Sequence, residues 1–266
     1  MSETSSAELH DAPVRNEPPF YDPPQMSEVS TIAGIFFEPG RTFEDLKRKP
    51  RFIVGSLIIA LFVTAYGFAM YYKVGEAGMR RVIVEQMDKS SQAQSMPADQ
   101  KSAAVDMQMT IQNYVRYLIP IFVFISLLIG GLLYFLGAKA FGGTGGFVHG
   151  LSVWVYSSLP PTVVGMIGSF IVMAIKSVDE IDVASSQRGL VNANPSLLLD
   201  GHAQPVLATV VATLDIFFIW GWILAAIGLR VTNKLSSGSA WGIVIIFAII
   251  GTLLRIVGAI FSGNQT

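Results

Sequence analysis

The chain has 266 residues, of which 52% are hydrophobic and only 14% are charged, and its mean hydropathy is +0.52. Because soluble domains carry about a quarter charged residues, this composition is typical of a chain that is solvated largely by lipid. The net charge of −1 provides no overall attraction for nucleic acid, and the absence of cysteine excludes disulfides, thiolate metal sites and a cysteine nucleophile.

Residues 1–30 are polar, acidic and interrupted by prolines, which predicts a disordered N-terminal tail. They contain neither the basic start nor the apolar run of a secretory signal. The stretch PPFYDPP within them is compatible with a polyproline II segment that a partner recognises, and an unstructured leader is the favoured interpretation.

Residues 31–51 form a juxtamembrane segment that leads into the first apolar stretch. Its second half is rich in positive charge, and the basic residues are Arg41, Lys47, Arg48, Lys49 and Arg51. Anionic headgroups attract each basic residue by roughly 1 kcal/mol, so this cluster predicts a membrane-surface anchor.

The same segment carries the pattern of a short helix. Thr42 is a candidate N-cap with Asp45 as a short capping-box variant, and Pro50 disfavours helix at the residue before it. Phe43 and Leu46 lie three residues apart and therefore share a face. Two interpretations stay open: a helix whose apolar face lies in the membrane interface, and an ordinary linker.

Residues 52–261 contain five apolar stretches. A bilayer core about 30 Å thick needs about 20 apolar residues of helix, and each stretch is long enough. The predicted spans are 52–72, 118–138, 148–175, 206–229 and 240–261. The predicted fold class is therefore all-α: a polytopic transmembrane bundle with five membrane-spanning helices.

Two longer loops, at about 73–117 and 176–205, lie on one side of the predicted bundle. In the first, Pro97 suits the first turn of a helix, and 75–89 is compatible with a second helix that extends span one. Apolar residues then recur at steps of three and four: Ala104, Met107, Ile111, Tyr114 and Leu118. This period predicts a helix that runs directly into the second span.

The third span contains two adjacent prolines. Prolines free backbone carbonyls, which nearby hydroxyls or neighbouring helices must satisfy. The residues concerned are Ser157, Ser158, Pro160 and Pro161. Because no second interrupted helix occupies a matching position, we expect a static kink rather than a transporter-type discontinuous helix.

Two ionisable residues fall inside predicted spans: Asp215 in the fourth and Arg255 in the fifth. A charge at such depth costs at least about 2.5–3.5 kcal/mol, so we expect the two side chains to face each other or to share a polar interior. A structural role is the favoured interpretation, either a polar clamp or an arginine that snorkels outward, and a proton or ion site is the alternative.

The side of the membrane that holds each loop follows from its basic residues. The dense cluster before span one shares its side with Lys139, Arg230 and Lys234 of the two short loops. The basic residues of loop 73–117 are spread out and offset by acidic ones. This distribution predicts a cytoplasmic N-terminus and a C-terminus outside.

Two motifs carry a resemblance to a known family. They are an aromatic-Pro-x-x-Thr-Phe pattern at Phe37, Pro39, Thr42 and Phe43, and a Tyr-x-x-Leu-Pro pattern at Tyr156, Leu159 and Pro160. With the glycine-rich entry to the third span and the five-span layout, the chain resembles the bacterial branch of the Yip1 domain family over about 31–261. The resemblance implies a five-span protein of the bacterial inner membrane with a cytosolic N-terminus. Eukaryotic relatives bind Rab-type GTPases and partner proteins in vesicle traffic, and the family brings no catalytic residue set.

The sequence is compatible with three classes of function. The favoured class is a non-enzymatic integral membrane protein that organises protein partners or membrane shape, in contact with the bilayer and with a membrane-protein partner or further copies of itself. A transporter or channel component using Asp215 and Arg255 is the alternative. An intramembrane enzyme is weakest, because His10, His149 and His202 are scattered. No cofactor, metal or nucleic acid is expected.

Overall fold

The computed structural model describes residues 25–89, 95–183, 186, 189–191, 193–199 and 205–261. In these ranges every regular element is helical, as the fold class predicts. The α-helices are α1 (Glu28–Phe37), α2 (Pro39–Arg48), α3 (Ile53–Lys89), α4 (Ala98–Tyr117), α5 (Ile119–Ala140), α6 (Phe147–Ile175), α7 (Pro205–Val211), α8 (Ile216–Thr232) and α9 (Ser237–Phe261). Residues 1–24, with PPFYDPP, lie outside the described residues. Helix α1 begins three residues inside the segment 1–30 that was assigned to the tail.

Four helices, α3, α5, α6 and α9, are long and apolar enough to cross a membrane. Residues 206–214 and 216–232 pass the same test together but meet at an angle of 54°. The described chain therefore holds four candidate spans, or five if the bent pair counts as one, and this agrees with the five predicted apolar stretches.

The fourth predicted span is interrupted, contrary to the unbroken helix that its hydropathy suggested. Asp215 has extended backbone angles, with φ −72° and ψ 136°, and it caps the N-terminus of α8. The signal was present in the sequence, because Asp directly before an apolar run is a typical N-cap. The strong hydropathy of the residues before and after Asp215 outweighed this N-cap signal and favoured one continuous span.

Helix α6 lies at the centre and packs against α3, α5 and α8. Its contact with α5 is close because glycines face each other there: a Cβ on Gly131 would lie 2.7 Å from the Cα of Leu151, and one on Gly150 would lie 2.8 Å from the Gly131 carbonyl oxygen. Tyr156 and Leu159 on α6 are fully buried and contribute to the main core.

Helix α6 continues without interruption through its two prolines. The hydroxyl of Ser157 donates to the Trp154 carbonyl at 3.1 Å, and the Ser157 carbonyl oxygen faces α8 near Gly221. The predicted bend at Ser157, Ser158, Pro160 and Pro161 stays a prediction, but the helix is not broken there.

On one side of the bundle, α3 and α4 extend beyond the apolar spans as a helical hairpin. Gly75, with φ +72°, divides α3 into a membrane half and an outer half. The outer half packs on α4 through Ile83, Val105 and Met109. The predicted helix from about Pro97 into the second span is confirmed, since α4 begins at Ala98 and is joined to α5 by Leu118 alone.

On the opposite side, the two short loops dock on each other. The glycine-rich stretch GGTGG forms a tight turn with Gly142 at φ +80°, and the Thr144 N–H donates to the Asn233 carbonyl at 3.1 Å. A Cβ on Gly145 would lie 2.1 Å from Asn233 Oδ1, so only glycine fits this approach.

Candidate functional site

Helices α1 and α2 form a hairpin, here called the platform, on the side of the short loops. Ser27 caps α1 by accepting from the Ser30 N–H at 3.1 Å. Helix α2 begins at Pro39, three residues earlier than the predicted N-cap Thr42, because proline suits the first helical position. Thr42 lies inside the helix, where its hydroxyl donates to the Glu38 carbonyl at 3.0 Å. The helix ends at Arg48, before Pro50.

The apolar face of the platform is buried against the bundle. Phe43 and Leu46 share a face, as predicted, and with Ile35 they are 0% exposed. A Cβ on Gly228 of α8 would lie 2.8 Å from the Phe43 ring, so the aromatic side chain fills the space that this glycine leaves. Phe43 and Leu46 therefore do not contact lipid, because α2 packs on α8 and α6 through this face, while a position of the segment 31–51 at the membrane interface stays a prediction.

A buried ion pair fixes the platform to the start of α3. Arg51 forms a salt bridge with Asp45, and their side chains are 11% and 3% exposed. Arg51 also donates to Thr31 Oγ1 at 2.7 Å and to the Met26 carbonyl at 3.0 Å. We call this pair the Asp45–Arg51 clasp.

The second carboxylate oxygen of Asp45 binds the chain that enters α1. It accepts from the Gln25 N–H at 2.6 Å and from the Met26 N–H at 3.2 Å. Asp45 is therefore not the capping-box residue that the sequence suggested, because its carboxylate reaches partners about twenty residues away. The clasp joins three segments: the entry to α1, α2 and the start of α3.

The predicted surface anchor divides into two groups. Arg51 points into the protein, where the clasp holds it. Arg41 is exposed and pairs with Glu38 at 3.1 Å, Lys49 is exposed, and Lys47 and Arg48 are half-buried. Contact with lipid headgroups stays a prediction for these four.

His149, which the sequence left without a role, connects the platform to α6. Its Nδ1 accepts from the Gly146 N–H at 3.2 Å, so Nε2 carries the proton and donates to the Lys47 carbonyl at 3.2 Å. The imidazole thereby satisfies a backbone carbonyl at the end of α2 and caps α6. The side chain of His149 therefore has a structural role: it holds the end of α2 against the start of α6.

Two buried polar atoms next to the clasp have no hydrogen-bond partner among the described residues: Tyr156 Oη and Arg51 Nε. Tyr156 is fully buried beside Gly55 of α3. A Cβ added to Gly55 would lie 3.7 Å from the Cζ atom of Tyr156. Such atoms in a core are uncommon, and an ordered water is the usual partner.

A groove of about 350 Å³ opens on the surface of the platform that no other described element covers, between α1 and α2. It is lined by Gln25, Met26, Ser30, Ala33, Gly34, Phe37, Glu38 and Arg41. Phe37 at its edge is 84% exposed, which is unusual for an aromatic side chain on a packed helix.

The intramembrane residues have separate partners. Asp215 is 6% exposed, and its carboxylate accepts from the N–H groups of Phe217 and Ala193 and from the Asn194 amide, each at 2.9 Å. The Arg255 guanidinium lies 4.6 Å from the centre of the Phe218 ring. Phe218 follows Asp215 by three residues, but no ion pair within the described ranges joins Asp215 and Arg255. A shared polar function stays a prediction.

Comparison with known proteins agrees with this architecture. The model of the Yip1 domain matches residues 33–258. The chain is 28% identical to membrane protein YknW of Bacillus subtilis (strain 168) over 238 residues, which cover 89% of this chain and 91% of the relative. No solved structure matches. The match begins within α1 and ends three residues before the end of α9, so it covers most of the platform and nearly all of the transmembrane bundle, and the chain therefore belongs to the Yip1 domain family.

Proposed function

We propose that this protein is a non-enzymatic scaffold of the bacterial cytoplasmic membrane, and that it recruits a protein partner through the platform groove. The observation that carries the proposal is the contrast between the two faces of the platform. One face is fixed by the clasp and by a fully buried apolar surface, while the other presents a groove with Phe37 exposed at its edge.

This contrast supports recognition of a partner because a rigid surface loses little conformational entropy on binding. Exposed aromatic residues beside a concave surface are typical anchors of protein interfaces. Glu38 and Arg41, which carry opposite charges, also line the groove, and such charged residues are typical of the polar rim of a protein interface. These features favour a protein or peptide over a small metabolite.

The proposed orientation puts the platform in the cytoplasm. The platform side carries the dense basic cluster and the two short basic loops, whereas the α3–α4 hairpin on the other side pairs Arg80 with Asp106 and Lys101 with Asp88. A dense group of basic residues directly before a membrane span favours the cytoplasmic side.

Cross-linking capture from native membranes tests the proposal. Phe37→Ala removes the exposed anchor, and Val29→Ala is a matched control because Val29 is 76% exposed on the same helix but does not line the groove. We expect a captured species that is retained by wild type and Val29→Ala and is lost by Phe37→Ala. Equal capture by all three proteins would refute a role for the groove.

Transport is the second candidate, and the 54° bend at Asp215 favours it, because discontinuous helices build transporter sites. The three N–H donors on the carboxylate support a capping role instead. Solute or proton flux into proteoliposomes distinguishes the two. Flux that wild type supports and Asp215→Asn abolishes would replace the scaffold proposal, since Asn preserves a helix cap.

A further inference from the structure

An apolar stripe runs along α4 and α5 on the face that no other described element covers. Its members are Met107, Ile111, Tyr114, Leu118, Ile121, Ile125, Leu128 and Leu132. They are spaced alternately four and three residues apart, and each is between 42% and 72% exposed. Leu118, with φ −89° and ψ −4°, lies in the right-handed helical region at the junction of α4 and α5. We call this stripe the seam.

The seam crosses the boundary of the membrane. The Arg116 guanidinium lies 3.4 Å from the centre of the Tyr71 ring and close to Phe68 and Tyr117, and such aromatic belts mark the bilayer interface. Met107 precedes Leu118 by eleven residues, about 16 Å of helix, so a lipid tail that covers α5 does not reach it. The seam thus continues beyond the hydrocarbon.

The seam residues on α4 do not belong to the hydrophobic core of this chain. The opposite face of α4 packs on the outer half of α3 through Val105 and Met109. Helix α4 therefore has two apolar faces, and a helix surrounded by water on one side needs only one. The second apolar face therefore needs a binding partner that covers it.

We propose that this binding partner is a second copy of this chain, packed along the seam as a parallel pair of α4–α5 segments. A 3.5-residue apolar repeat is the pattern by which one helix packs on another, whereas lipid imposes no such register. Two copies in one membrane share their orientation, so a two-fold axis along the membrane normal places each seam residue against itself.

The flanks and the area of the seam fit self-association. The positions beside it on α4, Gln108, Thr110, Val115 and Tyr117, carry no charge, so two copies meet without like-charge repulsion. Eight half-exposed side chains that bury roughly 100 Å² each give roughly 800 Å² per copy, the size of a standard protein interface; the part on α4 leaves water, and the part on α5 packs on protein in place of lipid.

Disulfide cross-linking in native membranes tests the seam directly, because the chain has no cysteine of its own. Single variants Met107→Cys, Ile111→Cys and Tyr114→Cys are oxidised with copper phenanthroline. Ser102→Cys is the control, since Ser102 is exposed on α4 but lies outside the seam. We expect covalent dimers from the three seam variants and monomers from the control. This test does not depend on the platform groove.

Labelling with a membrane-impermeant maleimide separates the other outcomes. Monomeric seam variants that label readily would overturn the inference, because their face would be open to water. Monomeric variants that resist labelling would also overturn it, since lipid or a different protein would then cover the seam. Equal dimer yield from Ser102→Cys would indicate random collision and would refute a specific contact.

Discussion

Asp45→Asn opens the clasp with little change in shape. The amide retains an acceptor for the Gln25 and Met26 N–H groups, but it leaves the 11%-exposed Arg51 guanidinium without its buried counter-ion. Removing one partner of a buried ion pair costs about 3–5 kcal/mol. Glu28, whose carboxylate lies 3.4 Å from Arg51, still neutralises part of the guanidinium charge. We therefore expect the docking free energy of the platform to fall by about 3 kcal/mol, at the lower end of this range.

The lost free energy weakens the docking of the platform on the bundle. Limited trypsin digestion in detergent micelles measures this weakening. Arg41 and Lys47 lie inside α2, so trypsin cleaves after them only when the platform opens. A loss of about 3 kcal/mol raises the open population, and with it the cleavage rate, roughly 100-fold. Glu38→Gln is the control: it removes the exposed Glu38–Arg41 pair, which is worth less than about 1 kcal/mol.

A double-mutant cycle with Arg51→Met isolates the ion pair. Once the guanidinium is gone, Asp45→Asn no longer strands a charge, so we expect the double variant to lose about 2 kcal/mol less than the sum of the single variants. Strict additivity, or an Asp45→Asn protein that trypsin cleaves within about twofold of the wild-type rate, would show that the clasp does not hold the platform.

The remaining predictions concern packing and capping. Gly228→Ala places a methyl group 2.8 Å from the buried Phe43 ring, so we expect a destabilisation of about 1–3 kcal/mol in thermal unfolding in detergent. Gly251→Ala, where a Cβ meets nothing within 4 Å, serves as its control, and an equal loss in both would contradict the packing argument. Asp215→Ala removes the acceptor at the start of α8 and should cost about 1–2 kcal/mol in the same assay, while Asp215→Asn should retain most of the stability; equal losses would argue against a capping role.

The sequence by itself determined the class of the protein and the outline of its helices. Apolar stretches of about 20 residues identify spans because a helix of that length crosses the hydrocarbon and satisfies its backbone groups within the stretch itself. Local signals also located α4: Pro97 stands at its start, and its apolar residues follow the helical period. These features depend on residues within a turn or two of each other, so a sequence pattern contains them.

Only the tertiary structure decided what the polar residues do and which way the apolar faces point. Asp45 and Arg51 read as a capping residue and a surface anchor, yet their partners include residues 19 to 25 positions away, which no local pattern contains. The apolar face of α2 suits lipid and a neighbouring helix equally, because lipid tails are as apolar as leucine, and only contact with Gly228 of α8 decides between them. Asp215 likewise became a helix cap rather than a mid-span charge: its carboxylate accepts from the Phe217 N–H of α8, and a distant loop supplies two further donors, the Ala193 N–H and the Asn194 side-chain amide.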